Sequence, residues 1–232
     1  MTWPKPPPPG GFAPSGGFAP PSGGFERRGY HHGNLREALV EAARELIGAK
    51  GPSGFTIAEA ARLAGVSPAA PYRHFRDAES LLAEVATRGF DTFQDRLGAA
   101  LAASSADPIR AAEAVGHAYL AFAREEPAFY AAMFEARVSR TPYPELQAAS
   151  DRAFGVLRTL AERLANAARI QPRPPALMIA LHIWSTAHGI ASLFVRDDAA
   201  RRPLPMSADD LLEAALLVYL QGLGVNAAPE AS

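Results

Sequence analysis

From about position 34 onward, apolar residues in this chain recur at intervals of three and four, and no stretch alternates as a strand would. Leu35, Leu39, Ala42, Ala43, Leu46 and Ile47 trace one face of a first helix, which Gly51 and Pro52 end. Thr56 followed by Glu59 reads as a capping box, in which the hydroxyl takes one orphan amide and the carboxylate reaches back for another. It opens a second helix from Ile57 to about Ala64, and Gly65-Val66-Ser67 makes a tight turn. Ser67 can then cap a short third helix with Pro68 at its first position, where a missing N–H costs nothing. Asp77 caps a longer fourth through Leu81, Leu82, Val85, Phe90, Phe93, Leu97 and Leu101. Asp107-Pro108 opens a fifth that runs to Glu126-Pro127, and a short sixth carries Phe129, Tyr130, Met133 and Phe134. Pro142 and Pro144 open a seventh, running to about Ile170. After the Pro-rich break at 171–175 comes an eighth, and Ser207 to Asp210 cap a ninth that ends near Gly222 and Gly224. The expected fold is all-α, with about nine helices.

Composition adds a boundary. The first 25 residues are mostly Pro, Gly, Ser and Phe, with Gly-Phe-Ala-Pro at 11–14 and again at 17–20. Such a stretch buries too little surface to offset its ordering entropy, so residues 1–29 are expected to be a disordered tail. Its repeated Phe residues leave partner docking open. The tail lacks the basic and apolar layout of a secretory signal. The chain has no cysteine, which rules out disulfides and thiolate metal sites. Its net charge is only -1, yet residues 26–76 hold eight Arg and Lys against five Asp and Glu, with His31, His32 and His74 in addition. A locally basic segment in a neutral protein suits a polyanionic partner. Arg27 and Arg28, just before the first helix, either enter a minor groove or are simply solvated.

The segment from Thr56 to Phe75 predicts helix, short turn, helix. In DNA readers of this shape the second helix enters the major groove while the first crosses the phosphate backbone. Small residues are then needed where the reading helix meets base edges, and Ser67, Ala69 and Ala70 fit. Donors are needed at its far end, and Tyr72, Arg73 and His74 fit. The hairpin alone is equally compatible with ordinary helix packing.

The residues Tyr30-His31-His32-Gly33-Asn34-Leu35-Arg36, Thr56-Ile57-Ala58-Glu59-Ala60-Ala61 and Gly65 through Phe75 closely resemble the DNA-binding head of the tetracycline-repressor (TetR) family. Downstream, Trp184, His188 and Gly189 resemble the signature of a Trp-His-Gly (WHG-type) C-terminal domain in one branch of that family. The resemblance implies phosphate contacts at Thr56, Tyr72 and His74, with Ser67, Ala69, Ala70 and Arg73 facing bases. Two positions depart from it. Pro71 removes a backbone bond inside the reading helix, and Ala78 stands where a Lys is frequent, with Arg76 able to substitute. The implied organisation is a 30–76 head, a 77–226 ligand-binding and dimerisation domain, and a short tail at 227–232. The implied function is a cytoplasmic repressor, homodimeric on a palindromic DNA operator and released by a small-molecule effector. It needs no cofactor and no membrane.

The C-terminal part gives its own support. Ala176 to Val195 contains no charged residue but carries His182, Ser185, Thr186, His188 and Ser192, which argues for burial or subunit pairing over a membrane span. The ninth helix, with Leu211, Leu212, Ala215, Leu216, Val218, Tyr219 and Leu223, has an equally broad apolar face. Two such helices per subunit suit a four-helix dimer interface. Trp184 and His188 share a helix face, either as a pocket wall or as a core His packed on Trp. Candidate ligand contacts are Tyr119, Phe122, Phe129, Met133, Phe134, Trp184 and His188. Gly189 is expected to permit close helix approach. No converging acid, base and nucleophile appears, and no phosphate-cradling glycine loop, so an enzyme is not expected. The rival reading is a helical interaction module that does not read DNA sequence.

Overall fold

A computed structural model of the protein describes residues 35–104, 107–195 and 206–225. The N-terminal tail with its Phe repeats, the segment 26–34 including Arg27 and Arg28, and the 227–232 tail lie outside the described residues. The described residues form eight α-helices and no strand. These are α1 (Leu35–Lys50), α2 (Ile57–Leu63), α3 (Ala78–Ala103), α4 (Pro108–Glu125), α5 (Pro127–Phe134), α6 (Pro144–Ala167), α7 (Ala176–Ile190) and α8 (Ala208–Gly222).

The helix ends follow the local chemistry. Thr56 and Glu59 form the expected capping box at α2, and Asp77 with Ser80 and Ser207 with Asp210 form two more at α3 and α8. At the end of α2, the Val66 amide donates to the Ala61 carbonyl at 3.0 Å and the Gly65 amide to Arg62 at 3.1 Å. This is a Schellman closure, and it needs the left-handed φ of +72° that Gly65 supplies.

The expected third helix is not α-helical. Between Ser67 and Phe75 the chain makes successive three-residue turns, with a 3-10 segment only at Pro71–Arg73. Ala70 N–H donates to Ser67 C=O (3.0 Å), Arg73 N–H to Ala70 C=O (3.2 Å) and His74 N–H to Pro71 C=O (2.9 Å). Pro71 lacks the amide that would donate to the Ser67 carbonyl in an α-ladder, so the tighter turn prevails until Phe75 N–H reaches Pro71 C=O at 2.9 Å. Ser67 accordingly takes the Ala70 amide on its carbonyl rather than capping a helix with its hydroxyl.

Helix α3 is the central element, packed against α1, α4, α5 and α6. Its Leu81, Val85, Phe90, Phe93 and Leu97 are buried among Tyr119 and Phe122 of α4, Tyr130 of α5 and Leu157 and Leu160 of α6. Close approach is set by Gly89 and Gly116, where an added Cβ would lie 2.8 Å from Met133 Sδ and 2.9 Å from Leu212 Cδ2. Gly189 has no such role, because a Cβ there would meet nothing within 4 Å. The uncharged segment 176–195 is α7 followed by one π turn, Ala191–Val195. By length and composition it could cross a membrane, but Ile179, Ala180, Ile183, Ala187 and Ile190 are buried in the bundle.

Candidate functional site

Two separate groupings of side chains stand out. The first is the surface made by α2 and the 67–75 turns. Pro71 and Phe75, four apart, turn inward and are buried. The residues between them therefore face out: Tyr72 is 58% exposed, and Arg73 and His74 are exposed beside it. Ser67, Ala69 and Thr56 are also exposed and Ala70 is half-buried, so six of the seven candidate DNA contacts are open to solvent and the seventh partly so. Arg62 on α2 is exposed too, and neither it nor Arg73 has an ion-pair partner among the described residues. Unpaired guanidinium groups on an exposed face can neutralise phosphates without first breaking an internal pair. Thr56 is less free. Its hydroxyl accepts from the Glu59 amide at 3.2 Å, and Lys50 holds the Glu59 carboxylate at 2.7 Å. Lys50, with Thr56 assisting, keeps the Glu59 carboxyl below the usual carboxylate range.

Ion pairs tie this surface to α3. Arg36 of α1 donates to both oxygens of Glu84, at 2.9 and 2.7 Å, and its guanidinium lies 5.7 Å from the centre of the Phe75 ring. Arg88 bridges Glu84 and Glu37. Arg76, the candidate substitute for a basic residue at position 78, is committed to Asp77 at 2.9 Å. The Ser80 amide and Arg76 together hold the Asp77 carboxyl below its usual range.

The second grouping is a cavity between α3, α5, α6 and α7. It consists of two adjoining clefts, of about 230 and 510 Å³, that share Phe90, Phe134, Arg140 and Trp184. Phe93 and Phe154 complete the aromatic wall of the smaller cleft, and Met133 and His188 line the larger. Phe134 stacks edge-on to Phe90 at 5.6 Å and to His188 at 4.9 Å, which fixes the rings at the centre.

His188 is held from behind. The hydroxyls of Tyr119 and Tyr130 both lie 3.0 Å from its Nδ1, and Tyr130 also reaches Ser192 Oγ at 3.1 Å. Burial lowers the His188 pKa, favouring the neutral ring, and raises that of Tyr119 well above the usual phenol value. The neutral ring has one donor and one acceptor nitrogen, and both phenols meet it at Nδ1. Ser192 Oγ lies 3.5 Å from its Nε2. Ser192 is placed by the π turn, a distortion that recurs where helices carry function.

Of the seven candidate ligand contacts, Met133, Phe134, Trp184 and His188 line the cavity, and Tyr119 supports it through His188. Phe122 and Phe129 do not join them. Phe122 is fully buried against Phe93 with Arg96 over its ring, and Phe129 lies under Arg44 towards α1. Phe122 is a core residue and Phe129 is partly buried against the core, because their positions on α4 and α5 face other helices. Sequence reasoning missed Phe90, Phe154, Arg137 and Arg140. The phenylalanines read as core, but the two arginines in a loop between apolar helices were a usable signal.

Residues 39–85 match the family model described as bacterial regulatory proteins of the tetR family, and residues 112–219 match the tetracyclin repressor-like C-terminal domain, a span that includes Trp184, His188 and Gly189. The chain is 25% identical over 198 residues to an uncharacterized HTH-type transcriptional regulator, YobS, of Bacillus subtilis (strain 168), covering 84% of this chain and 95% of that protein. It is 30% identical to a solved protein of unknown function from Rhodococcus sp. RHA1, with a TM-score of 0.71 over 84% of this chain and 98% of the other. The fold also matches the transcriptional regulator FadR from Bacillus subtilis, solved in complex with stearoyl-CoA, at 15% identity and a TM-score of 0.65 over 80% and 98% of the two chains. The two domain matches together span most of the described chain, and it belongs to the TetR family of DNA-binding bacterial transcriptional regulators.

Proposed function

We propose that the protein is a cytoplasmic repressor that holds a palindromic operator as a homodimer and lets go when a small molecule fills the cavity. The observation that carries the DNA half is the outward row of Tyr72, Arg73 and His74, held between the buried Pro71 and Phe75. In this reading residues 30–76 are the reading head, with Thr56, Tyr72 and His74 on phosphates and Ser67, Ala69, Ala70 and Arg73 towards bases. Residues 77–226 are the effector and dimer body.

Dimerisation is supported by a face of α7 and α8 that the subunit leaves uncovered. Leu177, Met178 and Leu181 of α7 and Leu217 and Val218 of α8 are 42–70% exposed. Apolar residues concentrated on two neighbouring helices mark an association surface. A two-fold dimer would set two heads roughly 34–36 Å apart, the spacing of successive major grooves on one side of DNA.

Helix α3 is the lever. Its N-terminal half is bound to the head through Arg36 and Glu84, and its middle supplies Phe90 and Phe93 to the cavity wall. An effector that binds better when the heads are splayed shifts the dimer away from DNA, by no more than its differential affinity. The FadR relative solved with stearoyl-CoA supports an organic effector in this frame.

Sedimentation of the wild type and of a Leu217→Asp, Val218→Asp variant tests the reading. The wild type is expected as a dimer that binds duplex recovered from a random pool, and the variant as a folded monomer with binding lost. A wild-type monomer that binds a single half-site would refute it.

A further inference from the structure

The sign of the charge at the cavity mouth carries information about what enters. The loop between α5 and α6 brings Arg137 and Arg140 to the rim of the larger cleft, and Arg140 lines the smaller one as well. Both arginines are exposed, and neither has an ion-pair partner among the described residues. Other arginines of the body are held by carboxylates: Arg88 by Glu37 and Glu84, Arg96 by Glu125 and Glu126, Arg124 by Asp209, Arg152 by Asp91. Arg137 and Arg140 instead line one cleft together with no carboxylate holding either.

They are also placed. The Arg140 guanidinium lies over the Phe90 ring, 5.6 Å from its centre, which anchors the cation at the junction of the clefts. Arg137 has a φ of +53°, a left-handed conformation that L-residues adopt at a cost. Asp151 is the one carboxylate lining either cleft, and the Gln147 amide already donates to it at 2.8 Å. Behind the rim, the wall is Phe90, Phe93, Phe134, Phe154 and Trp184.

We infer that the effector is an organic anion with a compact, ring-bearing apolar body: the body packs on the aromatic wall and the anionic group is held by Arg137 and Arg140. The inference rests on the cavity being the effector site and adds the ligand's chemical class. Carboxylate, sulfonate and phosphate share the planar or tetrahedral oxygen edge that a guanidinium grips.

The test uses two fluorescent probes with the same anilinonaphthalene body, anilinonaphthalene sulfonate and the uncharged phenylnaphthylamine. A Trp3→Phe background leaves Trp184 as the one energy-transfer donor. The sulfonate is expected to bind about tenfold more tightly than the neutral probe, the range of a charge-assisted hydrogen bond. In an Arg137→Gln, Arg140→Gln variant that preference should vanish while neutral-probe binding holds. Equal affinities in the parent, or a preference that survives the double substitution, would overturn the anionic class and leave the cavity reading standing. No energy transfer to either probe would overturn the cavity reading itself, and the proposal with it.

Discussion

The head and the body solve opposite problems. In the head, the residues proposed to act are exposed, and the fold beneath them is secured by others: Pro71 and Phe75 inward, the Thr56–Glu59 box, the Arg36–Glu84 pair. In the body, the residues around the cavity are also core. Phe90 and Phe93 belong to the same buried cluster as Leu97 and Tyr119, and His188 is held by two tyrosines that are themselves almost fully buried. Function can thus be removed from the head without touching stability, whereas in the body the two are coupled.

Five substitutions and conditions probe that contrast. The largest effect is expected from Tyr72→Ala with His74→Ala, which should weaken binding to every duplex by one to two orders of magnitude, flatten the salt dependence and leave the melting temperature unchanged. Titrations at several salt concentrations, with a melt of the same sample, read both quantities. Next is Gly116→Val, which forces a side chain against Leu212 where α4 meets α8. Overpacking of this kind costs about 1–3 kcal/mol, measurable by urea unfolding. Tyr130→Phe removes the hydroxyl shared by His188 and Ser192 and should cost about 1 kcal/mol. It should also blunt the effector response while sparing DNA binding without effector.

The fourth is a pH effect with a defined sign. Burial lowers the His188 pKa from the ordinary 6.5, so the unfolded chain takes up this proton more readily than the folded one. The contribution is fully present above pH 6.5 and is lost as pH falls below it towards the folded value. Unfolding curves from pH 7.5 to 5.5 should show this loss, and a His188→Gln variant should show a shallower one. The smallest change is expected from Arg152→Ala, whose pair with Asp91 is exposed on both sides. Its stability should stay within about 0.5 kcal/mol of the parent.

What the sequence discloses follows the same division. Capping residues act within three positions, so the starts of α2, α3, α4 and α8 are legible from Thr56, Asp77, Asp107 and Ser207 alone. The all-helical class follows from the same local signals. The 67–75 segment departs from an α-helix because Pro71 withholds the amide that would donate to the Ser67 carbonyl, a loss that apolar spacing does not register. Pairings across the bundle are not local. Phe122 and Phe134 carry the same side chain on neighbouring helices, yet only Phe134 meets the cavity. Gly89 and Gly116, not Gly189, set the close approaches, because these depend on which partner helix arrives. The Tyr119–His188–Tyr130 arrangement joins residues up to 69 positions apart and left no spacing to read.

The central claim is that the outward row beside Phe75 reads DNA. Selection of bound duplexes from a random pool, run in parallel with the wild type and the Tyr72→Ala, His74→Ala variant, tests it most directly. The account predicts a palindromic site enriched by the wild type, with binding that falls steeply with salt, and no enrichment by the folded variant. Enrichment of the same site by both proteins, or of none by a folded wild-type dimer, would contradict it.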